Sequence, residues 1–155
     1  PIPHDNSNIV SSWDVLNGQE VTGDCVVIGG GLVGAETAEY LANKGHQVTI
    51  VEMMDKIAAG ESTTVLPLMM KDFADHNVKQ LVNTKVDHIE NNIVYTANDQ
   101  IKADTIINAL GSKKNIFDDS SITIPHVCVG DCSGERTADI ASAIRTAYHA
   151  ANEID

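Results

Sequence analysis

Asp24-Cys25-Val26-Val27-Ile28-Gly29-Gly30-Gly31-Leu32-Val33-Gly34 decides how this chain folds. A continuous apolar run enters a glycine cluster, as does a strand buried on both faces of a parallel sheet. Past it the period changes. From Gly31 to Lys44 the small and apolar residues Gly34, Ala38, Leu41 and Ala42 recur at helical spacing, and Gly45 stands where a left-handed cap ends a helix. His46 to Glu52 is β-branched and strand-like again. Strand, helix and strand within about 30 residues have the length of a right-handed crossover unit, so the sheet is expected to be parallel.

Gly29, Gly31 and Gly34, with Leu32 and Val33 in the variable positions between the last two, fit G-x-G-x-x-G. The pattern alone is weak evidence, because glycine-rich turns are common; its setting strengthens it. It leaves a strand, opens a helix, and is followed by Glu52 at the end of the next strand, as a dinucleotide fingerprint requires. Gly29 permits the tight turn, Gly31 lets a pyrophosphate approach the backbone, and Gly34 lets helix and strand pack closely. The helix N-terminus adds unpaired N–H groups and a positive dipole end. The plain alternative is a structural turn with an accidental acid after it. Glu52 can accept hydrogen bonds from both hydroxyls of an adenosine ribose and would repel a 2′-phosphate, which favours NAD(H) over NADP(H). Its plain alternative is a carboxylate capping a strand end, and Lys56 stands close by in sequence.

Working outward, residues 1–22 are polar and broken by Pro1, Pro3 and Gly18, and read as a linker with one short helix around Trp13 to Leu16, capped by Ser11 or Ser12. Ser62, Thr63 and Thr64 are candidate caps for a second helix running through Met70, Phe73 and Ala74, with Pro67 in its first turn. Val78 to Val82 reads as a third strand. Thr84–Ile89, Ile93–Thr96 and Gln100–Ala103 form an antiparallel meander, turned at Asn91-Asn92 and Asn98-Asp99, residue types that accept positive φ. Asp104 to Leu110 is another buried strand ended by Gly111. Ser112 to Ser121 reads as a boundary; Ile122–Ile124 and Val127–Gly130 are strand-like, and Thr137 to Ile154 is a helix with Ile140, Ile144, Ala147 and Ala151 on one stripe.

At 155 residues the chain allows one ordinary domain, or one small domain with pieces of another. Its 43% hydrophobic and 21% charged residues support a packed core, and no apolar run is long enough to cross a bilayer. The formal net charge of −12 repels phosphate backbones and anionic lipid, so neither a nucleic acid nor a membrane is expected as a partner. Three cysteines, Cys25, Cys128 and Cys132, are odd in number and lack C-x-x-C spacing. They read as ordinary thiols, and a cytoplasmic location is the default. The six histidines show no paired-ligand spacing, so no metal site is expected, and no Ser/His/Asp arrangement can be assembled. The opening Pro1-Ile2-Pro3-His4-Asp5 has no signal-peptide pattern and no initiator Met, which suggests a piece of a longer polypeptide.

Val26 to Ala42 together with Val48 to Met53 resembles the NAD domain of the pyridine nucleotide-disulfide oxidoreductase-like flavoproteins, the group related to glutathione reductase. Within it the chain is most similar to the carboxyl-terminal part of the NADH oxidase, 2-enoate reductase and 2,4-dienoyl-CoA reductase group of NADH:flavin oxidoreductases, whose full-length members carry an old-yellow-enzyme-like barrel upstream. The meander before Asp104 resembles that family's insertion. Ala109-Leu110-Gly111 resembles its second glycine landmark, and Val129-Gly130-Asp131-Cys132 with Arg136-Thr137-Ala138 and Ala143 to Ala147 resembles its closing FAD motif. Ser112-Lys113-Lys114-Asn115 departs from the family's Arg-x-Pro-Asn at that point.

The resemblance implies a Rossmann-like parallel sheet with a β-meander insertion over residues 23–112, followed by a strand and helix from an incomplete FAD domain over 113–155. It implies NAD(H) here, FAD in the intact parent, and hydride transfer from NADH to the flavin, with the FAD and upstream catalytic domains of the same polypeptide as partners. No side chain of this chain need act as acid or base, and the isolated chain is expected to be inactive. By the same resemblance Asp131 would bond the flavin's ribityl or pyrophosphate region, Glu36 would lie near the nicotinamide amide, and Met53 would pack on adenine. Ala109 and Gly111 would border the dinucleotide. The rival reading is a free-standing, non-catalytic dinucleotide-binding or interaction module.

Overall fold

A computed structural model describes residues 2–59, 64–111, 118–133 and 140–153. The chain divides into two compact units, Pro1–Gly111 and Ser112–Asp155. The first is built on a five-stranded sheet in the order β1-β8-β2-β3-β4, every neighbouring pair parallel. Its strands are β1 (Ile9–Ser11), β2 (Cys25–Ile28), β3 (Val48–Val51), β4 (Lys79–Leu81) and β8 (Thr105–Asn108). A three-stranded antiparallel sheet of β5 (Val86–Glu90), β6 (Ile93–Thr96) and β7 (Gln100–Lys102) lies between β4 and β8 in sequence.

Alternation along β2 explains its unbroken apolar run. Cys25 and Val27 join Ala35, Ala38, Leu41, Ile50, Phe73 and Ile107 in a core shared with the helices. Val26 and Ile28 join Val51, Val86, Ile89, Val94 and Ile106 in a second core shared with the meander. A strand covered on both faces has no position left for a polar side chain. Helix α2 (Leu32–Asn43) buries Gly34, Ala35, Thr37, Ala38, Leu41 and Ala42, and ends on Gly45 at φ +91°, whose N–H donates to the Ala42 carbonyl at 2.9 Å.

The structure corrects several expectations. Residues 1–22 are more than a linker: β1 pairs Ile9, Val10 and Ser11 with Ile106, Ile107 and Asn108, and α1 (Ser12–Leu16) buries Val15 in the helix-side core. Three residues carry too little pattern to announce a strand; the partner that defines this one lies almost a hundred residues away. Ser11 does cap α1, its hydroxyl accepting from the Trp13 N–H at 3.1 Å. Helix α3 (Leu66–Asp75) starts from Val65 with no side-chain cap and Pro67 in its first turn, so Thr64 is not its cap, while Ser62 and Thr63 lie outside the described residues. Asn91 and Asn92 adopt φ of +52° and +59°, the tight turn expected of them. Asn98 and Asp99 do not have positive φ; that hairpin is closed by the Thr96 hydroxyl, which accepts from the Asp99 N–H at 2.9 Å.

The second unit, taken by itself, contains a 3-10 turn at Gly130–Cys132 and helix α4 (Ile140–Asn152). Residues 122–129 are not strands: among the described residues of this unit no neighbouring strand offers them a ladder. The stripe through Ile140, Ile144, Ala147 and Ala151 is exposed, and α4 instead buries Ser142. Arg136 to Asp139, Ile154 and the loop Ser112 to Asn115 lie outside the described residues.

Candidate functional site

The chain runs outward from β2 to β3 and β4, then returns to lay β8 on the other side of β2. The loops leaving β2 and β8 therefore diverge, and a crevice opens at the carboxyl ends of these strands. It is a cleft of about 420 Å³ lined by Gly29 and Gly31 after β2, Glu52 to Met54 after β3, Thr84 to Val86 after β4, and Ala109 to Gly111 after β8.

Close backbone packing shapes one wall. Gly29 has φ +101°, and a Cβ there would stand 2.5 Å from the Ala109 carbonyl oxygen. A Cβ on Gly34 would stand 1.9 Å from the Gly29 oxygen, so α2 can begin beside this turn only because residue 34 has no side chain. Gly31 differs: a Cβ there would meet nothing within 4 Å, because it faces open space. It is also the N-cap of α2 and supplies no side-chain acceptor. The first intrahelical bond is Ala35 N–H to the Gly31 carbonyl at 2.9 Å, so the N–H groups of Leu32, Val33 and Gly34 precede the helical ladder. Open space, a glycine and free helix-end donors are what an incoming pyrophosphate needs.

Glu52 forms the opposite wall. The residue is 9% exposed, and both carboxylate oxygens are used: one accepts from the Gly30 N–H at 2.6 Å and the other from the Met54 N–H at 2.7 Å. The Gly30 carbonyl in turn accepts from the Ala58 N–H at 2.7 Å, and the Met54 carbonyl from the Asn83 N–H at 2.8 Å. Glu52 thus ties the glycine turn to the loop after β3. Each carboxylate oxygen has a further acceptor position, so the two bonds leave capacity for hydroxyl donors from the cleft.

Gly29, Gly31, Glu52, Met53, Ala109 and Gly111 all line the cleft, and Met53 is 65% exposed there. Gly34 lies behind it as a packing contact; Leu32 and Val33 occupy the first turn of α2. Glu36 is exposed on α2 and is not among the lining residues. Asp131 belongs to the other unit, in the 3-10 turn before α4. The sequence reading missed Ile2, Met54, Thr84, Lys85, Val86 and Leu110 as cleft residues. The rule that ligands sit beyond the carboxyl ends of parallel strands would have drawn attention to Thr84 and Lys85, which lie in the connection that leaves β4. Among the described residues no three His, Cys, Asp or Glu gather as a metal site, and no helix is long and apolar enough to cross a membrane.

A five-stranded parallel sheet, a crevice where its strand order reverses, and a glycine turn facing a buried acid define a dinucleotide-binding α/β module. The chain belongs to the family described as pyridine nucleotide-disulphide oxidoreductase, whose profile matches residues 3–151. It is 44% identical to a bilirubin reductase of Mediterraneibacter gnavus over 97% of this chain and 24% of that protein. It is 54% identical to an NADH oxidase of Thermoanaerobacter brockii over 35% of this chain and 9% of that protein. A 2-naphthoyl-CoA reductase solved with 2-naphthoyl-CoA superposes with a TM-score of 0.80 at 28% identity, over 99% of this chain and 25% of that one. The chain therefore spans about a quarter of the length of the bilirubin reductase and of the 2-naphthoyl-CoA reductase. The cofactors of the family are NAD(H) and FAD.

Proposed function

We propose that this chain binds NADH in the cleft above β2, β3 and β8 and, as part of a longer flavoprotein, presents it for hydride transfer to FAD. The NADH oxidase and reductase relatives support the oxidoreductase reading. The observation that carries the proposal is Glu52, a carboxylate held at the rim of the cleft by two backbone N–H bonds at 2.6 and 2.7 Å with acceptor capacity to spare.

In this reading the free N–H groups of α2 and the open face of Gly31 receive the pyrophosphate, and Glu52 accepts the adenosine hydroxyls. Met53 and Ala109 to Gly111 provide apolar and backbone walls, and Asp131 serves the flavin side of the parent. The nicotinamide supplies the hydride; the residues of this chain orient it and exclude water. Carboxylate charge at Glu52 disfavours a 2′-phosphate, although Lys85 is among the residues that line the same cleft.

The test is a calorimetric titration of the chain with NADH and with NADPH, repeated on Glu52→Gln. NADH binding that exceeds NADPH binding, with the difference collapsing in the variant, supports the reading. Equal affinity for both nucleotides, or affinity for neither, overturns it.

A further inference from the structure

The segment before β1 runs along the meander. His4 and Ile89 form a parallel bridge: the Ile89 N–H donates to the Pro3 carbonyl at 2.9 Å, and the Asp5 N–H donates to the Ile89 carbonyl at 3.4 Å. Since β5 is an edge of its three-stranded sheet, Pro3 to Asp5 covers backbone groups that would otherwise face solvent. The segment is then fastened to the tip of the β5–β6 hairpin. Glu90 and Ile93 are the last paired residues there, so the N–H groups of Asn91 and Asn92, both at positive φ, lie outside the ladder. Consecutive N–H groups of this kind form a concavity suited to an anionic acceptor. The Asn91 N–H donates to the Asp5 carboxylate at 2.9 Å, and the Asn92 N–H to the Ser7 hydroxyl oxygen at 3.0 Å.

Asp5 is the hub of this attachment. Its second carboxylate oxygen accepts from the Ser7 N–H at 2.9 Å and from the Ser7 hydroxyl, and the Asn8 N–H completes the lock by donating to the Asn92 side-chain oxygen at 2.7 Å. Three residues before Asp5 stands Ile2. It is half-buried, packs against the core shared with the meander, and lines the large cleft together with Val51, Val86 and Leu110. Asn91 and Asn92 themselves are not among the lining residues. They reach the cleft through the segment they hold.

We propose that Ile2 is a nucleotide-contacting residue of the cleft and that Asp5, pinned to the Asn91-Asn92 hairpin tip, is the residue that positions it. The inference rests on the proposed function, because the group Ile2 meets is a base of the bound dinucleotide. The flat apolar face of a base is held best by apolar side chains already in place, and a branched aliphatic side chain on a fixed backbone supplies such a wall. Without Asp5 the hairpin tip keeps its donors but loses its charged acceptor, and the backbone carrying Ile2 is free to leave the cleft rim. The meander is then part of the binding site, acting from a hairpin tip that does not itself line the cleft.

The experiment titrates the full chain calorimetrically with NADH, beside Ile2→Ala, Ile2→Leu, Asp5→Ala, Asp5→Asn and the double variant Ile2→Ala/Asp5→Ala, with circular dichroism to show that each is folded. Ile2→Ala and Asp5→Ala are each expected to weaken binding about fivefold, the effect of losing part of one aliphatic contact. Ile2→Leu, which conserves volume, should bind nearly as the native chain does, and Asp5→Asn, which keeps one acceptor oxygen, should recover part of the loss. The double variant should bind no more weakly than the poorer single variant, because Asp5 acts through Ile2. Hydrogen exchange should quicken at the Asn91 amide in Asp5→Ala and stay native in Ile2→Ala. Native affinity in either Ala variant, or losses that multiply in the double variant, would overturn the proposal. A native chain that binds no NADH overturns the cofactor reading and this inference together, whereas native-strength binding by the variants overturns this inference alone.

Discussion

Replacing Glu52 by Gln tests whether its carboxylate is structural as well as a candidate ribose acceptor. Two charge-assisted bonds hold it, at 2.6 Å from the Gly30 N–H and 2.7 Å from the Met54 N–H. A glutamine amide can accept from only one of them and turns an NH2 toward the other. Gly30 is buried and its N–H cannot reach water, whereas Met54 is exposed, so the side chain should keep its oxygen on Gly30 and release Met54 to solvent. One charged bond then becomes neutral and one is exchanged for water, a loss of about 2 kcal/mol when bonds to charged groups contribute roughly 1.5–3 kcal/mol. Glu52→Ala removes both and strands the Gly30 donor, for about 3–4 kcal/mol. Urea denaturation followed by circular dichroism reads these values, and hydrogen exchange should show the Gly30 amide losing protection in the Ala variant but keeping most of it in the Gln variant. Both variants within about 0.5 kcal/mol of the native chain would refute the reasoning, since a carboxylate that can be removed freely does not hold these loops together. The NADH titrations belong well below the melting range of either variant, so that lost affinity is not mistaken for lost structure.

Gly34→Ala and Gly31→Ala should separate packing from binding. The first puts a Cβ 1.9 Å from the Gly29 oxygen and is expected to cost about 3 kcal/mol or more, while the second meets nothing within 4 Å and should leave the urea midpoint unchanged yet weaken NADH binding about tenfold or more. An unstable Gly31→Ala, or a Gly34→Ala of native stability, would contradict this geometry. Glu39 has its carboxyl raised above the usual range by burial, then by the Asp72 carboxyl across the α2–α3 contact and by Glu36. The folded state therefore binds more protons than the unfolded state just above the ordinary carboxylate range, and stability falls as pH rises through that window. Glu39→Gln should be more stable than the native chain near neutrality, by about 0.5 kcal/mol, with the gain vanishing once both carboxyls are protonated. A gain independent of pH in paired urea titrations would point to something other than this repulsion. Ser11→Ala removes the acceptor for the Trp13 N–H and should cost about 1 kcal/mol by the same measurement; no change would mean that water replaces the cap fully.

What could be read from the residues, and what could not, follows from how far apart the determining contacts lie. The crossover from Cys25 to Val51 was legible because each part carries its own local signature: a strand apolar at every position, a helix with small residues at its start, and a glycine cap at Gly45. The Asn91-Asn92 hairpin was legible for the same reason, since two adjacent residues hold the whole signal. Strand β1 was hidden, because three half-buried residues become a strand only through β8, which supplies every one of their ladder partners. At the site, the spacing from the glycine turn to Glu52 gave the acid its expected partner, a ribose, but gave no hint that Gly30 and Met54 already occupy both of its oxygens. Local motifs thus identify the parts of this cleft, and the long-range hydrogen bonds decide which of those parts are already engaged before any cofactor arrives.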